Sequence, residues 1–145
     1  MLGKVARWLR LLGHDTLLFR REPVGLIIGL SAAEGRVLLT RDHRMATRKG
    51  IGRVLVLDRS EPGEQLGEVA KAHGLVIDPE RVGTRCLECN KALETVTKEE
   101  IADLVPPFVL ASQERFRRCS ACNRVFWQGT HVEQMLATIR GVLPG

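Results

Sequence analysis

The chain has 145 residues, of which 44% are hydrophobic and 27% charged, with four cysteines and a formal net charge of +5. This is ordinary globular composition, which excludes wholesale disorder and fits one domain or one domain with a small appendage. No apolar run approaches the roughly 20 residues of a membrane span, and the start MLGKVARWLRLLGHD lacks the apolar stretch and cleavage site of a secretory signal, so a cytoplasmic protein with no membrane partner is expected.

The first eighty residues alternate helix and strand. Positions 2–12 form an amphipathic helix: Leu2, Val5, Ala6, Trp8, Leu9 and Leu12 fill one arc and Lys4, Arg7 and Arg10 the opposite one, with Leu11 intruding. Gly13 stops it. Asp15 to Phe19 reads as a strand, residues 24–34 as a helix ended by Gly35, and Arg36 to Thr40 as a buried strand. Arg41 to Arg48 is a turn or short helix, and Arg53 to Leu57 another buried strand. Ser60-Glu61-Pro62 opens a helix that carries Leu66, Val69 and Ala70 inward and ends at Gly74, before a short strand at Leu75 to Ile77. Near-continuous Val/Leu strands between helices predict an α/β fold whose mostly parallel sheet is covered on both faces. Residues 79–84 form a polar link to a second, small module.

That module carries Cys86, Cys89, Cys119 and Cys122, a C-x2-C pair, 29 intervening residues and a second C-x2-C pair. Two such pairs offer four thiolates to a structural Zn2+. A redox pair would need a single C-x2-C at a helix start, and four sulfurs leave a catalytic zinc no open position. His131 is read as a surface or packing residue. Each pair sits in Arg-Cys-x-x-Cys-Asn, where Asn tolerates a left-handed turn. The gap has room for one helix, with Thr97 and Glu100 as its capping box and Pro106-Pro107 as its stop.

In a parallel sheet ligands bind beyond the carboxyl ends of the strands. This places Asp42 in the expected crevice and Asp58 in an equivalent place, whereas Asp15 lies at the opposite end of its strand. Acids there suit Mg2+, which takes one or two carboxylates and completes its shell with water and phosphate. Each acid also has a plainer reading: Asp42 as a helix cap, Asp58 as a solvated strand end, Asp15 as a turn residue.

The strings MLGKVARWLRLLGHDT, EGRVLLTRD, EQL, RCLECN and CSACNRVFWQGTH, in this order, resemble the Mut-seven C-terminal RNase family. That resemblance implies a PIN-like ribonuclease domain, a three-layer sandwich over residues 1–80, joined to a zinc ribbon with short helices over 84–145. It implies a divalent-metal-dependent endoribonuclease in which Asp42 and Asp15 bind Mg2+ or Mn2+. The alternative is a catalytically degenerate module that binds RNA or a ribonucleoprotein. The resemblance further implies a first strand ending in an aspartate ahead of Met1, which this chain lacks, so that either the strand lies upstream or efficient catalysis has been given up.

Charge points the same way. Residues 1–60 hold 12 Lys/Arg against 5 Asp/Glu, a bias that suits a polyanion such as RNA and equally a solvated basic surface. Two basic sets are candidates for RNA contact. One is Lys4, Arg7 and Arg10 on the first helix, with Arg41 and Arg44 beside the crevice. The other is Arg117, Arg118 and Trp127 near the second knuckle, where guanidinium meets phosphate and indole stacks on an unpaired base. The competing expectation packs Phe116, Phe126 and Trp127 inside the ribbon.

Overall fold

The computed structural model describes residues 2–143. The first half contains α1 (Gly3–Leu11), α2 (Val24–Ala33), β1 (Leu38–Thr40), a 3-10 helix (His43–Thr47), β2 (Val54–Val56) and α3 (Pro62–His73). The second contains β3 (Glu94–Val96), α4 (Lys98–Ile101), α5 (Pro107–Ser112), β4 (Phe116–Arg118), β5 (Val125–Phe126) and α6 (Thr130–Arg140). β1 and β2 pair in parallel, Leu38 opposite Val54 and Thr40 opposite Val56. The other sheet is antiparallel, in the order β3-β4-β5.

Local signals placed most of these elements. Gly74 closes α3 in the left-handed conformation, at φ 64°. The Thr97–Glu100 capping box is formed in both directions and opens α4. Pro106-Pro107 does not merely stop that helix: Pro107 begins α5, because proline is accommodated in a first helical turn, so the gap holds two short helices and not one.

Two expected strands do not form. At Asp15 to Phe19 no ladder exists among the described residues; the Thr16 N–H donates instead to Asn90 Oδ1 at 2.8 Å. At Leu75 to Ile77 the Leu75 N–H turns back to the Ala70 carbonyl, and only Leu75 and Ile77 pack inward while Val76 stands exposed. A strand needs a neighbour to satisfy its backbone groups, and these two segments satisfy them otherwise. The parallel sheet thus has two strands, both half-buried and not covered as expected. α2 contributes only Ile28 and Ser31 to burial, leaving Val24 and Leu26 exposed.

Nor is the 79–84 segment a free link. Val82 is buried, and the Gly83 N–H donates to the Leu11 carbonyl at 2.9 Å. One core runs through it. Val5, Trp8, Leu9, Leu11 and Leu12 of the α1 region pack with Leu66 and Val69 of α3, with Val82 and Leu87, and with Leu136 and Ile139 of α6. α1 is therefore enclosed on two sides, which buries the intruding Leu11 and also Arg10. A second cluster, Ile101, Val105, Val109 and Phe116, fills the ribbon.

Because α6 shares the core of α1 and α3, Ile139→Ala is expected to cost about 2–5 kcal/mol. Denaturant unfolding followed by circular dichroism and by tryptophan fluorescence should give one coincident transition. Two separated transitions would show that the halves on either side of residue 80 unfold independently.

Candidate functional site

Both cysteine knuckles fold alike. The Cys86 N–H donates to the Lys91 carbonyl and the Asn90 N–H to the Cys86 carbonyl; Cys119 with Arg124, and Asn123 with Cys119, repeat the pattern. Asn90 and Asn123 take left-handed conformations, at φ 68° and 62°, as the motif predicts. The sulfurs of Cys86, Cys89, Cys119 and Cys122 lie within 4.8 Å of one another. Cys86 Sγ and Cys122 Sγ are 3.8 Å apart, too far for a disulfide. A tetrahedron with bonds of about 2.3 Å has edges of about 3.8 Å, so the four thiols fit a metal such as zinc. Proton affinities express the same crowding. The Arg124 backbone N–H draws the Cys122 thiol down to about 6, while sharing a proton with Cys122 pushes Cys89 up to about 12 and burial pushes Cys86 up. Four thiolates this close need a cation among them.

A cavity of about 860 Å³ lies between α1, α2, β1 and the extended segment after Gly13. Asp15, Arg36, Arg41 and Asp42 are on its wall, together with His14 and His73. Asp42 sits just past the carboxyl end of β1 and caps the 3-10 helix: its Oδ1 accepts from the Arg44 N–H at 2.9 Å and from Arg44 Nε at 3.1 Å. Asp15 accepts from Arg36 at 3.0 Å and from Asn90 Nδ2 at 2.6 Å. Arginine hydrogen bonds hold both carboxyls below the ordinary aspartate range, so both are ionised at neutral pH. Burial, helped by Arg81 and Arg85, lowers His14 and keeps its imidazole neutral there.

Asp58 lies outside that wall, in an exposed pair with His43 Nε2 at 2.8 Å. Glu22 accepts from the backbone of Arg20 and Arg21. Among the described residues, the four cysteines are the one group of three or more metal-ligating side chains gathered within ligating range. Asp15 and Asp42 are held separately on the cavity wall, Asp15 by Arg36 and Asn90 and Asp42 by Arg44.

The basic candidates divide. Lys4 and Arg44 are exposed, Lys4 with its Nζ 5.8 Å from the Trp8 ring centroid. Arg7 pairs with Glu88. Arg10 is a correction to the expected basic face: it is 7% exposed and donates to the carbonyls of Thr16 (2.9 Å) and Leu87 (2.8 Å). The helical wheel places it opposite the apolar arc, but the first knuckle packs there. Arg41 is half-buried, with a buried Nε that has no protein partner. Arg117 donates to the Gly83 carbonyl, Arg118 stands across from Glu94, and the half-buried Trp127 packs against Phe116 with ring centroids 6.2 Å apart.

Arg36 and Asn90 as partners of Asp15 were not foreseen. Asn90 was visible only as a turn former, and Arg36 only as the start of a strand. Gln65 of the EQL string is 1% exposed and donates to the Arg59 carbonyl, while Glu68 accepts from the N–H groups of Asp58 and Arg59. These two α3 residues pin the loop after β2, which gives the string a physical role.

The Mut7-C RNAse domain matches residues 1–139, and the chain belongs to that family. The family description marks a ribonuclease-like domain, with RNA as substrate or partner. No curated protein and no solved structure matches the chain. No helix among the described residues is long and apolar enough to cross a membrane.

Elemental analysis of the purified protein is expected to find one zinc per chain, and Cys86→Ser or Cys119→Ser to lose it together with much of the ribbon's stability. Four titratable thiols without metal would contradict this. Arg36→Met should raise the Asp15 titration midpoint towards the ordinary aspartate value, read by NMR. The Asp15–Arg36 pair stabilises the fold above that ordinary value, and its contribution is lost as pH falls through the lowered folded-state value.

Proposed function

We propose that this chain is a PIN-like, RNA-directed endoribonuclease that acts on single-stranded or structured RNA with a divalent ion at Asp42 and Asp15. A structural zinc in the ribbon accompanies that site. One observation carries the reading: the wall of a single cavity combines two ionised carboxylates with Arg41, whose buried Nε has no protein partner. An unpartnered guanidinium donor beside carboxylates suits a phosphodiester, which brings oxygen acceptors to the arginine and completes the shell of a carboxylate-held ion. Lys4 and Arg44 are exposed cations that would extend the track, with Arg118 on the ribbon. A cytoplasmic setting suits the four unbridged thiols.

The second reading is a binding module that cuts nothing, bound to RNA or a ribonucleoprotein. It is favoured by a specific feature: both carboxylates are already occupied by arginines, Asp42 by Arg44 and Asp15 by Arg36. One experiment separates the two. A labelled single-stranded RNA is incubated with the protein in Mg2+ or Mn2+, with EDTA as control. The nuclease reading expects cleavage that EDTA abolishes and that Asp42→Asn lowers about 100-fold or more. Cleavage unchanged in Asp42→Asn removes Asp42 from the mechanism. Salt-sensitive binding that EDTA leaves intact, without cleavage, establishes the binding module instead.

A further inference from the structure

We propose that the first cysteine knuckle is the mount of Asp15, with Asn90 as the positioning residue that carries metal occupancy at the sulfurs into the geometry of the acidic cavity. The role of Asp15 in that cavity rests on the function proposed above; the mount itself rests on contacts.

The two knuckles share one motif, and their asparagines share one backbone conformation. Their side chains differ. Asn123 is exposed. Asn90 is 7% exposed and spends its whole amide on the segment after α1: Oδ1 accepts the Thr16 N–H at 2.8 Å and Nδ2 donates to Asp15 Oδ1 at 2.6 Å. Thr16 thereby has a partner that a neighbouring strand would otherwise supply. Arg10 ties the same two bodies a second time, through the Thr16 carbonyl and the Leu87 carbonyl inside the knuckle.

The left-handed Asn90 directly follows Cys89, so its placement depends on the closed knuckle. The hydrogen bonds that close it are the Asn90 N–H to the Cys86 carbonyl, the Cys86 N–H to the Lys91 carbonyl and the Cys89 N–H to Cys86 Sγ at 3.3 Å, with Arg85 Nη1 donating to the Asn90 carbonyl at 2.9 Å and the Leu93 N–H to the Thr84 carbonyl at 2.8 Å. A metal bound by both Cys86 and Cys89 fixes this turn, and through Asn90 it fixes the Asp15 carboxylate on the cavity wall. Without it the turn can open, and Asp15 keeps Arg36 as its remaining partner.

Hydrogen exchange at the Thr16 amide reads the mount directly, on protein alone and without RNA. The Leu66 amide in α3 serves as the internal reference. Asn90→Gly keeps a residue suited to positive φ and removes both side-chain bonds. It should leave zinc bound, lower Thr16 protection by about fivefold or more, and leave Leu66 unchanged. Asn123→Gly should leave both amides as in the native chain. Withdrawing zinc from the native protein with a chelator should release Thr16 before Leu66, an arm that stands even where Asn90→Gly does not fold. Native protection at Thr16 in zinc-bearing Asn90→Gly, or loss of Thr16 and Leu66 protection together on chelation, overturns the mount. A failure of the nuclease reading changes none of these readouts.

Discussion

The guanidinium of Arg10 is withdrawn from water between α1 and the first cysteine knuckle, where carbonyl oxygens of Thr16 and Leu87 receive it. Removing a cation from solvent is expensive unless its donors are met, and here the acceptors come from two segments far apart in the chain. The arrangement stands only when α1, the segment after Gly13 and the knuckle are all in place. Burial lowers the proton affinity of Arg10, and the neighbouring Cys86 opposes that. The shared apolar core around α1 then follows, because the ribbon half cannot be removed without exposing this contact.

What the sequence made legible was local. The knuckles, their left-handed asparagines, the Thr97 capping box and the Gly74 helix stop each depend on residues within about one turn of each other. What it concealed depended on partners distant in the chain. Asp15 to Phe19 has strand composition, yet its backbone donor at Thr16 is taken by a side chain that lies 74 residues away. The helical wheel of α1 separates charged from apolar positions and says nothing of a second body packed on the charged side, so Arg10 looked like surface. Trp127 showed both possibilities, and its contact with Phe116 favours the ribbon interior. At the acids, Asp42 matched its expected position after β1, while Arg36 and Asn90, which set the state of Asp15, had no signature of their own.

Family membership and cavity chemistry meet at the carboxyl end of β1. Asp42 there and Asp15, elsewhere on the cavity wall, are ionised but held by arginines, and Arg41 contributes a donor without a protein acceptor. Under the function proposed above, a phosphodiester would compete with those carboxylates for guanidinium and leave carboxylate oxygens for a cation.

Gly13 marks the seam between the halves. It adopts φ +93°, and a side chain there would bring its first carbon within 2.7 Å of the Arg81 carbonyl oxygen. Its own carbonyl accepts from Arg81 and Arg85. Every replacement is therefore refused twice, by backbone preference and by collision. In a saturation screen scored on activity, position 13 would look as intolerant as a reacting group because assembly depends on it. Intolerance along the Gly13-His14-Asp15 stretch consequently mixes assembly with chemistry, and only assays of folding run beside it would sort one from the other.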